Sequence, residues 1–131
     1  MSENVELVRR FNALGNAGRW DAVAELLHPA VEWVIAREHP DARTVSGRDE
    51  LTEYRRQWDT MMPDLRIDLD RVLDVDDRVV AIGIARGTGT GSGADVRVPL
   101  ALVYTLRDGL ITRGEEYLDP DEALEAAGLA E

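Results

Sequence analysis

An α+β fold is the architecture this sequence predicts, with helices gathered against one antiparallel sheet. Three observations carry that expectation. The first half of the chain holds three stretches of helix-spaced apolar residues. The second half alternates apolar and polar residues over long runs and contains the Asp108-Gly109 pair, a strong hairpin signal. The chain then closes on one short, well-capped helix, and its 131 residues suit a single domain, 1–131, with no repeat or linker.

The elements follow in order. "SENVELVRRFNALGNAG" predicts a helix with Val5, Val8 and Phe11, flanked by Leu7 and Leu14, on one stripe; Gly15 and Gly18 end it. "RWDAVAELLHP" predicts a shorter helix that Pro29 stops, since proline lacks an N–H and restricts its predecessor. "AVEWVIA" alternates as a strand, with Val31, Trp33 and Ile35 on one face. "REHPDARTVSG" is a polar connection, long enough to form a flap. "RDELTEYRRQWDTMM" is a third helix, with Leu51, Tyr54, Trp58 and Met61 in line and Pro63 ending it.

Four strands come next. "DLRIDLDRVLDVDD" sets Leu65, Ile67 and Leu69 against Arg66, Asp68 and Asp70. "RVVAIGIARGTGTG" is a long strand turned by glycines near Gly91 and Gly93. "ADVRVPLALVYTLRDG" returns, and "LITRGEEYLD" follows the hairpin turn. In the last helix Asp119 is the cap, Pro120 suits the first turn, Glu122 completes a capping-box-like pair and Gly128 is the stop.

Composition narrows function. With 26 acidic against 15 basic residues the net charge is −11, which disfavours nucleic acid as a partner. No cysteine is present, so thiol nucleophiles, thiolate metal sites and disulfides are excluded. No run approaches a membrane span and no secretory h-region follows the first residues, which points to a soluble, cytoplasmic protein. His28 and His39 lack metal-ligand spacing, so no metal and no cofactor is expected. His28 reads as structural, a cation at a helix end. "RGTGTGSG" lacks the Lys-Ser/Thr ending of a phosphate loop and suits a strand running into a turn.

The late strands are apolar on both faces. Val96, Val98, Leu100, Leu102, Tyr104 and Leu106 share one side; Arg97, Pro99, Ala101, Val103 and Thr105 share the other. One side should pack on the helices and the other on a second subunit, giving a homodimer through the outer sheet face. Ala81, Gly83, Ala85 and Gly87 place small residues on one face of their strand, and the sequence does not say which.

Glu115 and Glu116 are adjacent, so they point to opposite faces. Glu116 shares its face with Leu110, Thr112, Gly114 and Leu118, and should face inward; Glu115 shares its face with Ile111, Arg113 and Tyr117, where it can pair with Arg113. Gly114 beside Glu116 leaves open space on the inner side. A carboxyl group in an apolar cavity has its charged form disfavoured, which is how a glutamate becomes a general acid or base near neutral pH.

Taken together, "FNALGNAGRWDAVAELLHPAVEW", "SGRDEL", "YTLRDGLI" and "EEYLD" resemble the SnoaL-like, polyketide cyclase-like branch of the nuclear transport factor 2-like superfamily, over nearly the whole chain. The resemblance implies a cone: a curved antiparallel sheet wrapped on three N-terminal helices around a pocket, with a short C-terminal helix. It also implies a superfamily holding cyclases, a ketosteroid isomerase, dehydratases, epoxide hydrolases and non-enzymes, so fold alone does not fix activity. Glu116 falls where the cyclases carry an aspartate that serves as general acid/base. Leu102 falls where they carry a histidine lining the cavity. The isomerase's first-helix tyrosine is replaced, since that helix offers Phe11, and no arginine or second aspartate of the epoxide hydrolase pattern is evident on the Glu116 face.

The expected site is therefore Glu116 as the catalytic group, with Trp33, Tyr54, Trp58, Leu102, Tyr104 and His39 around an apolar small molecule. Tyr54 would orient a carbonyl, and His39, in the flap, would gate the pocket or carry protons. Aromatic residues on apolar stripes are also ordinary core, and Glu116 can equally be a buried structural acid. Two functions follow: a cofactor-independent enzyme of cyclase, isomerase or hydrolase type, or a non-catalytic small-molecule-binding or interaction module on the same fold.

Overall fold

The computed structural model describes residues 2–88 and 95–129. Its elements are α1 (Glu3–Asn16), α2 (Trp20–Glu25), β1 (Leu27–Val34), β2 (Thr44–Ser46), α3 (Arg48–Met61), β3 (Arg66–Val75), β4 (Arg78–Thr88), β5 (Asp95–Arg107), β6 (Leu110–Tyr117) and α4 (Pro120–Ala126). The turn expected near Gly91 and Gly93 lies outside the described residues.

Local chemistry accounts for the helix ends. The Ser2 hydroxyl accepts from the Val5 N–H at 3.1 Å and starts α1, whose buried stripe is Val5, Val8 and Phe11. The helix passes through Gly15 and ends before Gly18, which takes a φ of 70°. Asp119 caps α4 through the Asp121 N–H at 3.0 Å, with Pro120 in the first turn.

The second helix is shorter than its sequence pattern. It stops at Glu25, and Leu27, His28 and Pro29 belong to β1. Leu27 is fully buried, and the Ile111 N–H donates to the Leu26 carbonyl at 2.9 Å, so docking on β6 ends the helix before Pro29 can. His28 is accordingly not at a helix end; its Nδ1 accepts from the Ala30 N–H at 2.9 Å. Part of the expected flap is also ordered as β2, which pairs antiparallel with β1 and buries Val45.

The sheet runs β2-β1-β6-β5-β4-β3. β3 to β6 form the expected antiparallel meander, but β1 lies parallel to β6. The reason is connectivity: α3 separates β1 from the meander, so β1 joins its far edge beside the last strand rather than the next one.

The helices α1, α2 and α3 close one face of the sheet over Phe11, Trp33, Leu51, Leu102 and Tyr104. The small-residue stripe of β4 lies on this inner face, since Ala81 belongs to the same core and pairs with Leu102. At Gly83 the stripe is filled by backbone: a Cβ there would meet the Asp68 carbonyl oxygen at 2.1 Å, next to the bulge between Leu69 and Arg71. On the outer face Ala123 of α4 and Ala127, just past its end, pack against Val80, Ala101 and Val103. The chain thus covers by itself a part of the outer face that its sequence pattern offers to a second subunit.

A second bulge, between Thr105 and Leu106 on the β5 side, leaves Thr112 unpaired and moves Ile111 inward. Ile111 is fully buried with Leu106 and Tyr104, instead of sharing the outer face with Glu115. The residues after the bulge keep the expected facing. Arg113 and Glu115 pair on the outer side at 3.0 Å, and Glu116 faces in.

Candidate functional site

Three residues of adjacent strands set the site. Gly114 of β6 pairs with Trp33 of β1, and a Cβ on Gly114 would lie 2.3 Å from two carbons of the Trp33 ring. The space beside Gly114 is therefore taken by the indole rather than left open. Seated there, the indole donates its Nε1–H to Glu116 Oε2 at 2.7 Å. The Ala36 N–H, just past the end of β1, donates to Glu116 Oε1 at 3.3 Å. Both oxygens are thus oriented, and among the described residues no cation pairs with the carboxylate.

Glu116 lines a cavity of about 340 Å³. The walls come from the end of α1 and the start of α2 (Gly15, Asn16, Trp20), from the segment after β1 (Ala36, Glu38, His39, Pro40), and from α3 (Tyr54, Arg55, Trp58, Asp59). Leu65 to Ile67, Leu100 and Leu118 complete it. The lining is mainly apolar with a few converging polar groups, the usual make-up of a small-molecule pocket.

Of the expected site residues, Glu116, Tyr54, Trp58 and His39 reach the cavity wall. The His39 ring meets the Trp58 ring edge-on at 5.5 Å, and its Nδ1 accepts from the Asp41 N–H at 2.9 Å. Tyr54 is 9% exposed, and burial first of all holds its phenol above the ordinary value, with the Glu116 charge adding to the shift and a hydrogen bond with Trp58 opposing it.

Trp33, Leu102 and Tyr104 are placed differently. They are buried in the core and are not wall residues. Phe11, Trp33 and Tyr104 pack as an aromatic triangle with ring centres 5.8–6.2 Å apart. Burial pushes the Tyr104 phenol far above its ordinary range; the nearby Arg55 charge lowers it and the Glu116 charge raises it. Of the three, Trp33 reaches the wall through its hydrogen bond to Glu116.

Arg55, Asp59, Asn16 and Trp20 are wall residues that the sequence pattern did not single out. An arginine and a second acid do therefore share the cavity with Glu116. A signal existed for the first two. Arg55 lies four residues after Leu51 and Asp59 four after Arg55, the spacing of one helix face. Among the described residues no three His, Asp or Glu side chains gather as a metal-binding group, and no helix among them is long and apolar enough to cross a membrane.

A family model for the SnoaL-like domain matches residues 8–114. No curated protein sequence matches the chain. A SnoaL-like polyketide cyclase candidate from Jannaschia sp. CCS1 is 24% identical and superposes with a TM-score of 0.79, over 98% of this chain and 93% of its own. Bal32a, from a soil-derived mobile gene cassette, is 27% identical, with a TM-score of 0.75 over 87% of each chain. A nuclear transport factor 2-like protein from Burkholderia pseudomallei K96243 is 24% identical, with a TM-score of 0.78 over 95% of this chain and 97% of its own. These likenesses establish the nuclear transport factor 2-like fold.

Proposed function

The chain belongs to the SnoaL-like domain family, and within it we propose a cofactor-independent enzyme that moves a proton on an apolar, carbonyl-bearing small molecule. The observation that carries this reading is the Glu116 carboxylate on the wall of the cavity, oriented by the Trp33 and Ala36 N–H groups and paired with no described cation. A fixed carboxylate at the wall of a mainly apolar pocket suits general-base work. Tyr54, on the same wall, is one group that would help to orient the carbonyl. The description of the Jannaschia protein as a polyketide cyclase candidate is consistent with this chemistry.

A second reading has one observation in its favour. The bonds from Trp33 and Ala36 are also those a purely structural acid would make. On that reading the protein binds its ligand without turning it over. The two part on a simple assay: deuterium uptake at the acidic carbon of 2-tetralone, a two-ring ketone. The enzyme reading predicts catalysed exchange that Glu116→Gln loses with the fold intact, by about 10²-fold or more. Exchange that is absent from the wild type, or unchanged in the variant, defeats it.

We also propose a homodimer through the part of the outer sheet face that α4 leaves open. Ile84, 37% exposed, and the exposed Pro99 opposite it support this.

A further inference from the structure

Among the described residues Arg55 is a cation without an acceptor. It lines the cavity, yet among the described residues nothing accepts a hydrogen bond or forms an ion pair with its guanidinium, and its Nε is buried unpartnered. A buried donor left unmatched is costly, so its retention calls for an explanation. The guanidinium carbon lies 4.9 Å from the ring centre of Phe11 and 5.4 Å from that of Trp33. Stacking on two rings holds the cation in place without neutralising it. The edge of the same Trp33 indole donates to Glu116. One indole thus seats a cation on its face and an anion at its edge, and both line one cavity.

A permanently anionic ligand does not suit this arrangement. It would meet Glu38 and Asp59 as well as Glu116 on the walls. A neutral carbonyl meets no such repulsion, and its oxygen becomes anionic only as a neighbouring proton leaves. We propose that Arg55 is a second catalytic residue, receiving the substrate's carbonyl oxygen and holding the negative charge that collects there while Glu116 takes the proton from the adjacent carbon.

The inference rests on the proton-transfer reading of the pocket and narrows it. In the step, the C–H bond breaks and its electron pair becomes the C=C bond of an enolate. The carbonyl π pair moves to oxygen beside Arg55, and the proton sits on the Glu116 carboxyl until it returns to carbon. Charge balances with no oxidant, reductant or metal. The substrates are ketones with an apolar body and an acidic C–H next to the carbonyl. A fixed cation aimed at developing charge favours the transition state over the ground state, which is what accelerates a reaction.

The test uses 2-naphthol, an aromatic mimic of the enol of 2-tetralone, whose absorbance separates the neutral from the ionised form. Bound to Glu116→Gln, whose neutral side chain stands for the protonated carboxyl that accompanies the enolate, it should ionise at least about one pH unit lower than in water, a tenfold stabilisation of the anion. Adding Arg55→Met should leave it bound neutral, and adding Arg55→Lys should recover part of the shift. A Glu116→Gln protein that binds 2-naphthol neutral, or a double variant with Arg55→Met that retains the shift, overturns the role of Arg55 and leaves the pocket reading standing. Failure of 2-naphthol to bind overturns both. Should the double variant with Arg55→Met not fold, Arg55→Gln takes its place, and the titration of Glu116→Gln by itself still decides whether the anion is stabilised.

Discussion

Glu116 is held by two N–H donors, one on each oxygen. Glu116→Gln keeps one acceptor oxygen and turns the other into a donor, so Trp33 or Ala36 loses its partner. The expected cost is about 1–3 kcal/mol in chemical denaturation. Gly114 has the opposite sensitivity, because the Trp33 ring occupies the position of a Cβ. Gly114→Ala should destabilise the fold by about 1–3 kcal/mol through overpacking and disturb the Glu116 bond with it. A Gly114→Ala protein of unchanged stability would contradict the seating of the indole. This residue also shows the limit of sequence reading. The inward facing of Glu116 was legible from alternation beside Gly114. The partner that fills the gap was not, because Trp33 lies 81 positions earlier in the chain and arrives by a parallel pairing that no local pattern encodes.

Titration at the residue level gives a further expectation. Tyr54, Tyr104 and Tyr117 all hold their protons above the ordinary phenol value of 10.0, in each case chiefly through burial. The unfolded chain sheds these protons near 10.0 while the folded chain keeps them. The folded state then binds more protons, so stability is complete below that pH and falls as pH rises past it. Denaturation midpoints measured on either side of pH 10 should drop on the alkaline side, and a flat profile would contradict the burial of the phenols.

Among the elements, α4 carries weight out of proportion to its length. It is the helix that covers Val80, Ala101 and Val103 on the outer face. Its start depends on the Asp119 cap, and Glu122 ties it to Arg37, which stands between the wall residues Ala36 and Glu38. Asp119→Ala should cost about 0.5–2 kcal/mol, as lost caps do. Wild-type stability in that variant would mean that packing alone holds the helix. The cap was readable from Asp119 and Pro120, since capping is local chemistry, whereas the Glu122 carboxylate, expected to complete a capping box, pairs with Arg37 instead. The early end of α2 and the strand β2 were not, because docking of Leu27 and Val45 on distant strands decides them. The bulge at Thr112 defeated simple alternation in the same way: one extra residue reverses the facing of everything before it.

At the scale of the whole molecule, the sheet has an inner face closed by three helices and an outer face closed only in part by α4. Sedimentation equilibrium at micromolar concentration should give the mass of two chains, and a single-chain mass would contradict the dimer. The overall architecture was the most legible feature, because helix spacing, strand alternation and the hairpin turn all pointed to one α+β arrangement. The cavity was legible at Glu116, Tyr54, Trp58 and His39, and not at the rest of its wall. Arg55, Asp59, Asn16 and Trp20 come together from three helices, and their convergence exists only in the fold.

On the proposed function the Glu116 carboxylate, held by Trp33, meets a bound molecule. The Trp33 indole N–H resonance reports on that bond, so the decisive measurement is its response to 2-tetralone in the wild-type protein and in Glu116→Gln. A saturable shift is expected in the wild type, with an altered starting position in the variant, where the acceptor is changed. An indole signal that ignores the ketone at saturation, while other wall residues respond, would place the ligand away from Glu116 and rule out its part in the chemistry.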